Sequence, residues 1–175
     1  MPLNSIFGWI IKKRIHQIDL FKKYPIEVQD ELQHQHQNYR ISIDFEEIPD
    51  DDETVTVNGN KSLLKTLFNN LIDNACKYSN KKPIEVTLSK DDTFIKIEIR
   101  DQGIGISRED IQNVFLPMMR GKNSTHIQGS GIGLTLVKKI IELHKGKFDI
   151  QSEINQGTCV CIVLPIAKTR LFVNG

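Results

Sequence analysis

The sequence has little of what marks several protein classes. Its three cysteines, Cys76, Cys159 and Cys161, show no CxxC spacing and no neighbouring histidines suited to zinc. Buried free thiols in a reducing compartment are the simplest interpretation. The apolar run from Ile6 to Ile11 is interrupted by Gly8 and followed by basic residues, so it is too short to span a bilayer and does not fit a signal peptide. We therefore expect a cytoplasmic chain.

An excess of charge of one sign is also missing. The chain has 23 basic and 22 acidic residues, a formal net charge of +1. Such a balance gives no global field that would attract nucleic acid or an anionic membrane as the main partner, so any anion binding must be local. The length of 175 residues, with 39% hydrophobic and 26% charged residues, predicts one globular domain with a real core.

Hydrophobic spacing predicts the order of secondary structure elements. Alternation at 41–45 and 55–57, with an acidic turn between them, indicates a hairpin. A polar stretch punctuated by glycines at 118–131 indicates a mobile loop. Because strands and helices cluster rather than alternate, we expect an α+β fold: a two-layer sandwich of one mixed sheet with helices on a single face, not a doubly wound parallel sheet. The further predicted elements are helices at 26–37, 61–78, 108–115 (with Ser107 as its N-cap) and 134–144, and strands at 84–88, 94–99, 148–152 and 158–164.

The predicted helix at 61–78 carries an unusual polar face. Asn70, Asp73, Asn74 and Lys77 recur at steps of three and four residues, so their side chains converge on one side of the helix. Two carboxamides and a carboxylate can hold a hydrated magnesium ion, and a nearby ammonium can meet phosphate oxygens. The alternative is a solvated helix face that is merely rich in asparagine.

Two glycine-rich segments favour a nucleotide site. DQGIGI, at 101–106, directly follows a predicted strand, where an aspartate can accept a hydrogen bond from an exocyclic amine such as that of adenine. GSGIGL, at 129–134, precedes a helix whose N-terminus suits a polyphosphate. Taken alone, the first could be any strand-to-loop turn. The second is not a Rossmann fingerprint, because a polar loop precedes it, and the chain has no GxxxxGK[ST] P-loop.

Five ordered motifs together resemble the catalytic ATP-binding domain of two-component sensor histidine kinases. They are NLIDNACKY, DQGIGI, VFLPMMRG, GSGIGL and GTCVCIVLP, and the resemblance covers roughly 41–166. It implies the Bergerat ATP-binding fold with a mobile ATP lid, shared with DNA gyrase and heat-shock chaperone ATPases. On this basis we expect a remnant of a preceding domain at 1–25, the catalytic domain at 26–170 and a tail at 171–175.

The resemblance implies a role for each matching residue of the site. ATP and Mg²⁺ are the implied cofactors, with Asn74 as the magnesium ligand. Asn70, Lys77 and Arg120 match residues at the phosphates and are the implied catalytic set. The implied ATP-binding residues are Asn70, Asn74, Lys77, Tyr78 along adenine, Asp101 at its amino group, Gly103, Gly105 and Ile106 in the first glycine box, Phe115 in the F box, Gly129, Ser130, Gly131, Ile132, Gly133 and Leu134 in the second glycine box, and Thr158 beside the adenine pocket.

The same resemblance implies activity and partners. Hydrolytic relatives place a glutamate where Asn70 stands, and an amide cannot act as that base, which favours phosphoryl transfer over ATP hydrolysis. No H-[ED]-x-x-[TN]-P motif surrounds any histidine, so the acceptor is expected on a separate dimerisation domain, with a response regulator downstream and no nucleic acid partner. The fragment is expected to be monomeric and its parent a homodimer, and an inner-membrane anchor in the parent stays open. The alternatives are an anti-sigma-type serine kinase and an ATP-dependent conformational switch module. His144, near a helix C-terminus, is expected to be stabilised by the helix dipole.

Overall fold

The structure is a computed structural model, which describes residues 16–19, 24–36, 38–46, 56–119, 127 and 131–167. The elements are, in chain order, β1 (His16–Asp19), α1 (Tyr24–Gln35), β2 (Ile41–Phe45), β3 (Thr56–Gly59), α2 (Lys61–Tyr78), β4 (Ile84–Lys90), β5 (Phe94–Arg100), α3 (Arg108–Ile111), α4 (Gly133–Leu143), β6 (Lys147–Glu153) and β7 (Gly157–Pro165).

A five-stranded sheet in the order β2-β4-β5-β7-β6 forms one layer. β2 runs parallel to β4, and the other neighbouring pairs are antiparallel, so the sheet is mixed as predicted. The predicted hairpin is wrong. β2 pairs with β4, while β3 pairs with β1 in a separate two-stranded sheet; Val55 and the acidic turn at 49–53 lie outside the described residues. Alternating hydrophobicity identifies a strand but not its partner, and here both partners are distant in sequence.

One face of the large sheet is covered by helices. Alternate residues of β4 and β5 are buried, and the intervening ones are more exposed, as expected for a strand with one face in the core. The apolar stripe of α2 packs onto this face together with α4, which confirms the α+β sandwich with helices on one side. The largest fully buried side chains are Leu64, Leu67, Phe68, Ile72, Ile84, Leu88, Ile95, Ile97, Ile99, Ile140 and Ile141.

Several local predictions need correction. α1 begins at Tyr24 rather than at residue 26, because proline is tolerated in the first turn of a helix. α3 ends at Ile111 and continues as turns, although Ser107 caps it as predicted by accepting a hydrogen bond from the Asp110 amide. Cys76 is buried, but Cys159 and Cys161 are only partly buried, because they lie on the outer face of β7.

In the part of the chain that the structure describes, no helix has both the length and the apolar character needed to cross a membrane.

Candidate functional site

The N-terminus of α4 meets the polar face of α2. A methyl group placed on Gly133 would lie 2.7 Å from Asn70 Oδ1 and 3.8 Å from Asn74 Nδ2. The Asn70 side chain is held by its own helix, because its Nδ2 donates a hydrogen bond of 2.7 Å to the Thr66 carbonyl. The structure therefore brings together the first asparagine motif and the second glycine box, which are about sixty residues apart in sequence.

The first turn of α4 differs from those of two other helices. Asn60 caps α2 by accepting hydrogen bonds from the amides of Ser62 and Leu63, and Ser107 caps α3. Ile132 stands at the same position of α4 and offers no side-chain cap. Backbone N–H groups at a helix N-terminus carry partial positive charge, so an uncapped turn beside two carboxamides suits a phosphate group.

Asp73 on the polar face of α2 makes two polar contacts. Lys77 Nζ lies 2.5 Å from Asp73 Oδ2, and Tyr39 donates a hydrogen bond of 3.4 Å to Asp73 Oδ1. A cleft with a volume of about 520 Å³ opens between α1 and α2 at this point. Its walls are Glu31, Leu32, Gln35, His36, Asn69, Asn70, Asp73 and Lys77. Asn70 thus borders this cleft and also lies beside Gly133 at the start of α4, and Lys77 borders the cleft.

Asp101 lies at the end of β5 and is buried, with 7% of its surface exposed. Its Oδ1 accepts hydrogen bonds from the Gly103 amide at 2.8 Å and the Thr158 amide at 3.3 Å. Burial raises the pKa of this carboxyl group, and the two backbone donors counteract that shift. Both hydrogen bonds use the same oxygen, so Oδ2 remains available as an acceptor for an exocyclic amine.

A hydroxyl network supports the segment that follows Asp101. Ser152 Oγ accepts a hydrogen bond of 2.8 Å from the Ile106 amide, donates to the Gly157 carbonyl at 2.8 Å and lies 2.9 Å from Thr158 Oγ1. Thr158 is therefore joined both to Asp101 and to the first glycine box. Sequence reasoning missed Ser152, because a single serine at the end of a strand carries no motif.

The glycines of the first glycine box are required by contacts within the protein. A methyl group on Gly103 would lie 1.9 Å from the Tyr78 carbonyl oxygen, and one on Gly105 would lie 1.9 Å from the Glu153 carbonyl oxygen. Gly105 also has a positive φ of 66°. Between them, the Ile104 amide donates to the Tyr78 carbonyl at 3.1 Å. The loop therefore packs tightly between the end of α2 and the turn after β6, and both glycines are needed for that packing.

Part of the predicted lid can be described. The Phe115 ring packs against Phe148 with centroids 4.5 Å apart, and the Phe115 carbonyl accepts a hydrogen bond from Thr135 Oγ1 at 3.0 Å.

The end of the second glycine box is also described. Gly131 has a φ of +70°, and its carbonyl accepts a hydrogen bond from the Met118 amide at 3.1 Å. Ile132 is exposed, whereas Leu134 packs against the core. Three predicted residues lie outside the described residues: Arg120, Gly129 and Ser130.

His144 is a buried polar residue whose role the sequence did not reveal. Its Nε2 accepts a hydrogen bond of 3.2 Å from the Asn60 amide, so Nδ1 carries the proton and donates to the Ile140 carbonyl at 2.7 Å. Burial lowers its pKa, which favours this neutral form. The expected stabilisation of a charged His144 by the helix dipole is therefore wrong. The residue instead ties the end of α4 to the start of α2.

The side chains at this site suit magnesium only when the phosphates of a nucleotide supply further ligands. Within the described ranges, no group of three His, Cys, Asp or Glu residues could hold a metal ion. Mg²⁺ usually keeps several waters and binds one or two protein oxygens plus substrate phosphates. The Asn74 carboxamide, beside the uncapped turn of α4, suits that arrangement.

Residues 59–168 match the family described as histidine kinase-, DNA gyrase B- and HSP90-like ATPase. The chain belongs to this family. Among curated proteins, it is 41% identical over 116 residues to the heme sensor protein HssS of Staphylococcus saprophyticus, which covers 66% of this chain and 25% of that protein. The chain spans about a quarter of the length of the curated relatives it matches.

Solved structures of histidine kinases share the fold. The mycobacterial sensor histidine kinase MprB superposes with a TM-score of 0.73 at 24% identity, covering 87% of this chain and 98% of that one. Full-length ShkA in complex with AMPPNP gives a TM-score of 0.70 at 18% identity, covering 88% of this chain and 32% of that one. These structures confirm the Bergerat fold. The family match and the curated relatives confirm the resemblance to sensor histidine kinases and do not favour the serine kinase and switch-module alternatives.

Proposed function

We propose that this chain is the ATP-binding catalytic domain of a sensor histidine kinase, which transfers the γ-phosphoryl group of ATP to a histidine on a separate dimerisation domain of its parent. The observation that carries the proposal is the meeting of Asn70 and Asn74 with Gly133 at the uncapped start of α4. The named relatives and the ShkA complex with AMPPNP support it. A response regulator would then receive the phosphoryl group.

The C-terminal half of α2 and the segments packed against it would bind different parts of ATP. Beside the C-terminal end of α2, Asp101 Oδ2 would accept a hydrogen bond from the adenine amino group, and Tyr78 would lie beside the ring. Thr158 and Ser152 would hold the loop that carries Ile106. Asn70, Lys77 and the first amides of α4 would bind the phosphates. Gly131 and Ile132 border the phosphate end, and we extend this role to Arg120, Gly129 and Ser130. Phosphoryl transfer depends mainly on such positioning and on charge stabilisation.

Magnesium has one protein ligand in this proposal. The Asn74 side-chain oxygen would hold the ion, with phosphate oxygens and water completing its shell. When bound, the ion supplies positive charge that offsets the charge of the phosphates. The residues of this chain would orient the triphosphate between α2 and α4 and leave its terminal phosphoryl group accessible to the acceptor.

Asn70 would limit the loss of ATP to water. Its amide can donate or accept a hydrogen bond, but it cannot take a proton from a water molecule at neutral pH. Its Nδ2 already donates a hydrogen bond to the Thr66 carbonyl, so the side chain presents Oδ1 towards α4. We therefore expect ATP hydrolysis to be slow compared with transfer to the cognate acceptor.

The proposal is tested by adding the dimerisation domain of the parent protein to this chain with Mg²⁺ and γ-labelled ATP. We expect label on that domain that is labile in acid and stable in base, as a phosphohistidine is. Replacing its histidine by glutamine should abolish the labelling. Absence of transfer to a folded acceptor, with ATP binding intact, would contradict the kinase activity. Label that is stable in acid would instead indicate a serine kinase.

A further inference from the structure

Asp73 lies one turn before Lys77 on α2 and is held on both sides. Its Oδ2 is 2.5 Å from Lys77 Nζ, and its Oδ1 accepts the hydrogen bond from Tyr39. The two contacts use different oxygens, so they fix the orientation of the carboxylate. We propose that Asp73 is a positioning residue that holds the Lys77 ammonium at the phosphate end of the nucleotide site. This inference rests on the function proposed above.

Tyr39 supplies the part of this arrangement that lies outside α2. It follows α1 in the chain, and its ring stacks on His36 with centroids 4.5 Å apart. Burial raises the pKa of the Tyr39 hydroxyl, and the negative charge of Asp73 raises it further, so the group stays protonated and donates to the carboxylate. The orientation of Asp73 is therefore set by a neighbouring element as well as by its own helix.

The Lys77 side chain needs a contact that orders it. This side chain is a flexible stem with a compact charge, so holding it in one position costs rotamer entropy. The side chain is 35% exposed and borders the cleft between α1 and α2, into which it could turn. An ammonium has three N–H donors. Contact with Asp73 uses one of them and leaves two for phosphate oxygens.

Removing Asp73 has two effects of opposite sign on nucleotide binding. Loss of the anchor lets the ammonium move, which weakens binding. Loss of a negative charge near the phosphates removes repulsion, which strengthens binding. Only the first effect requires Lys77, so a double-mutant cycle separates them.

The experiment measures the affinity of a non-hydrolysable ATP analogue with Mg²⁺ for the wild type, Asp73→Ala, Lys77→Met and the double variant. With Lys77 present, we expect Asp73→Ala to weaken binding about threefold to tenfold, in the range of a partly exposed ion pair. In the Lys77→Met background, we expect the same change to have no effect or to tighten binding. Equal effects in both backgrounds, or no effect with Lys77 present, would overturn the inference.

Two further variants serve as a substitute for Asp73→Ala and as a control. Asp73→Asn keeps the shape of the side chain and should also weaken binding only when Lys77 is present, so it replaces Asp73→Ala should that variant not fold. Glu31→Gln is the matched control, because Glu31 of α1 forms an ion pair of 2.5 Å with Lys65 of α2 and lines the same cleft. We expect it to leave affinity unchanged within about twofold. A comparable weakening by Glu31→Gln would show that loss of any ion pair beside this cleft weakens binding, and would contradict a specific role for Asp73.

The same titrations separate this inference from the proposed function. Failure of the folded wild type to bind the analogue would overturn both. Normal binding by the wild type without coupling between Asp73 and Lys77 would overturn the positioning role alone.

Discussion

Asn70 and Gly133 are in such close contact that no side chain fits between them. A methyl group on Gly133 would approach Asn70 Oδ1 to 2.7 Å, which is shorter than an ordinary van der Waals contact. Asn70 cannot easily move aside, because its Nδ2 is hydrogen-bonded to the Thr66 carbonyl. The spacing between α2 and the start of α4 therefore depends on glycine at this position.

The first prediction concerns Gly133→Ala. We expect the new methyl group to displace the Asn70 side chain and to weaken binding of a Mg–ATP analogue about tenfold, a loss of about 1.4 kcal/mol. Thermal unfolding should change little, because alanine is favourable in the first turn of a helix and Gly133 has no positive φ. Binding is measured by calorimetry. In an Asn70→Ala background, where there is room for the methyl group, Gly133→Ala should cost little more; a full additional tenfold loss there would contradict the steric explanation.

The second prediction concerns Asp101→Asn. Asparagine can keep Oδ1 as the acceptor for the Gly103 and Thr158 amides, so the fold should remain intact. It then presents an N–H group where the carboxylate had Oδ2, which opposes the adenine amino group. We expect ATP affinity to fall about tenfold to a hundredfold, as for loss of a hydrogen bond to a charged group. GTP, whose base carries a carbonyl at that position, should lose less affinity, and unchanged ATP affinity would remove Asp101 from the adenine site.

The third prediction concerns Asn74→Ala. If Asn74 is the protein ligand of magnesium, its loss should remove most of the increase in nucleotide affinity that Mg²⁺ produces, while binding without the ion should change about twofold or less. Titrations with Mg²⁺ and with EDTA give both values. Asn58→Ala is the matched control, because Asn58 is exposed on β3. A full magnesium effect in Asn74→Ala would move the metal site elsewhere.

The fourth prediction is a pH dependence of stability. Burial lowers the pKa of His144 from its ordinary value of 6.5, so the unfolded chain binds the proton more readily than the folded one. The stabilisation is complete above about pH 6.5 and is lost as the pH falls through the lowered pKa, with a slope of up to about 1.4 kcal/mol per pH unit. Urea unfolding across this range measures it. His144→Gln should be less stable at neutral pH, with a smaller loss on acidification.

His34→Gln is the control for that series, since His34 is exposed. It should keep the wild-type slope. A wild-type slope in His144→Gln would assign the acid sensitivity to other groups.

Much of the fold could be predicted because its signals are local. The apolar stripe of α2 and the alternation in β4 and β5 follow from helical and strand periodicity, and Ser107 acts as the predicted cap. Pairing was not predictable in the same way. β2 joins β4 across the whole of α2, and nothing in residues 41–45 encodes that partner.

The candidate site also has features that could be predicted from the sequence and features that could not. The resemblance implied that Asn70, Asn74 and the second glycine box line one site, and in the structure Asn70 and Asn74 lie beside Gly133. No sequence pattern predicts the role of Ser152 or the neutral state of His144, because both act through hydrogen bonds to backbone groups that are distant in the chain. Such contacts depend on the tertiary arrangement rather than on any pattern of residue types.

The most direct test of the account is calorimetric titration of this chain with a non-hydrolysable ATP analogue, with and without Mg²⁺. We predict saturable binding of one nucleotide per chain that Mg²⁺ strengthens. Absence of binding to the folded chain under both conditions would contradict a nucleotide site between α2 and α4, and with it the proposed kinase function.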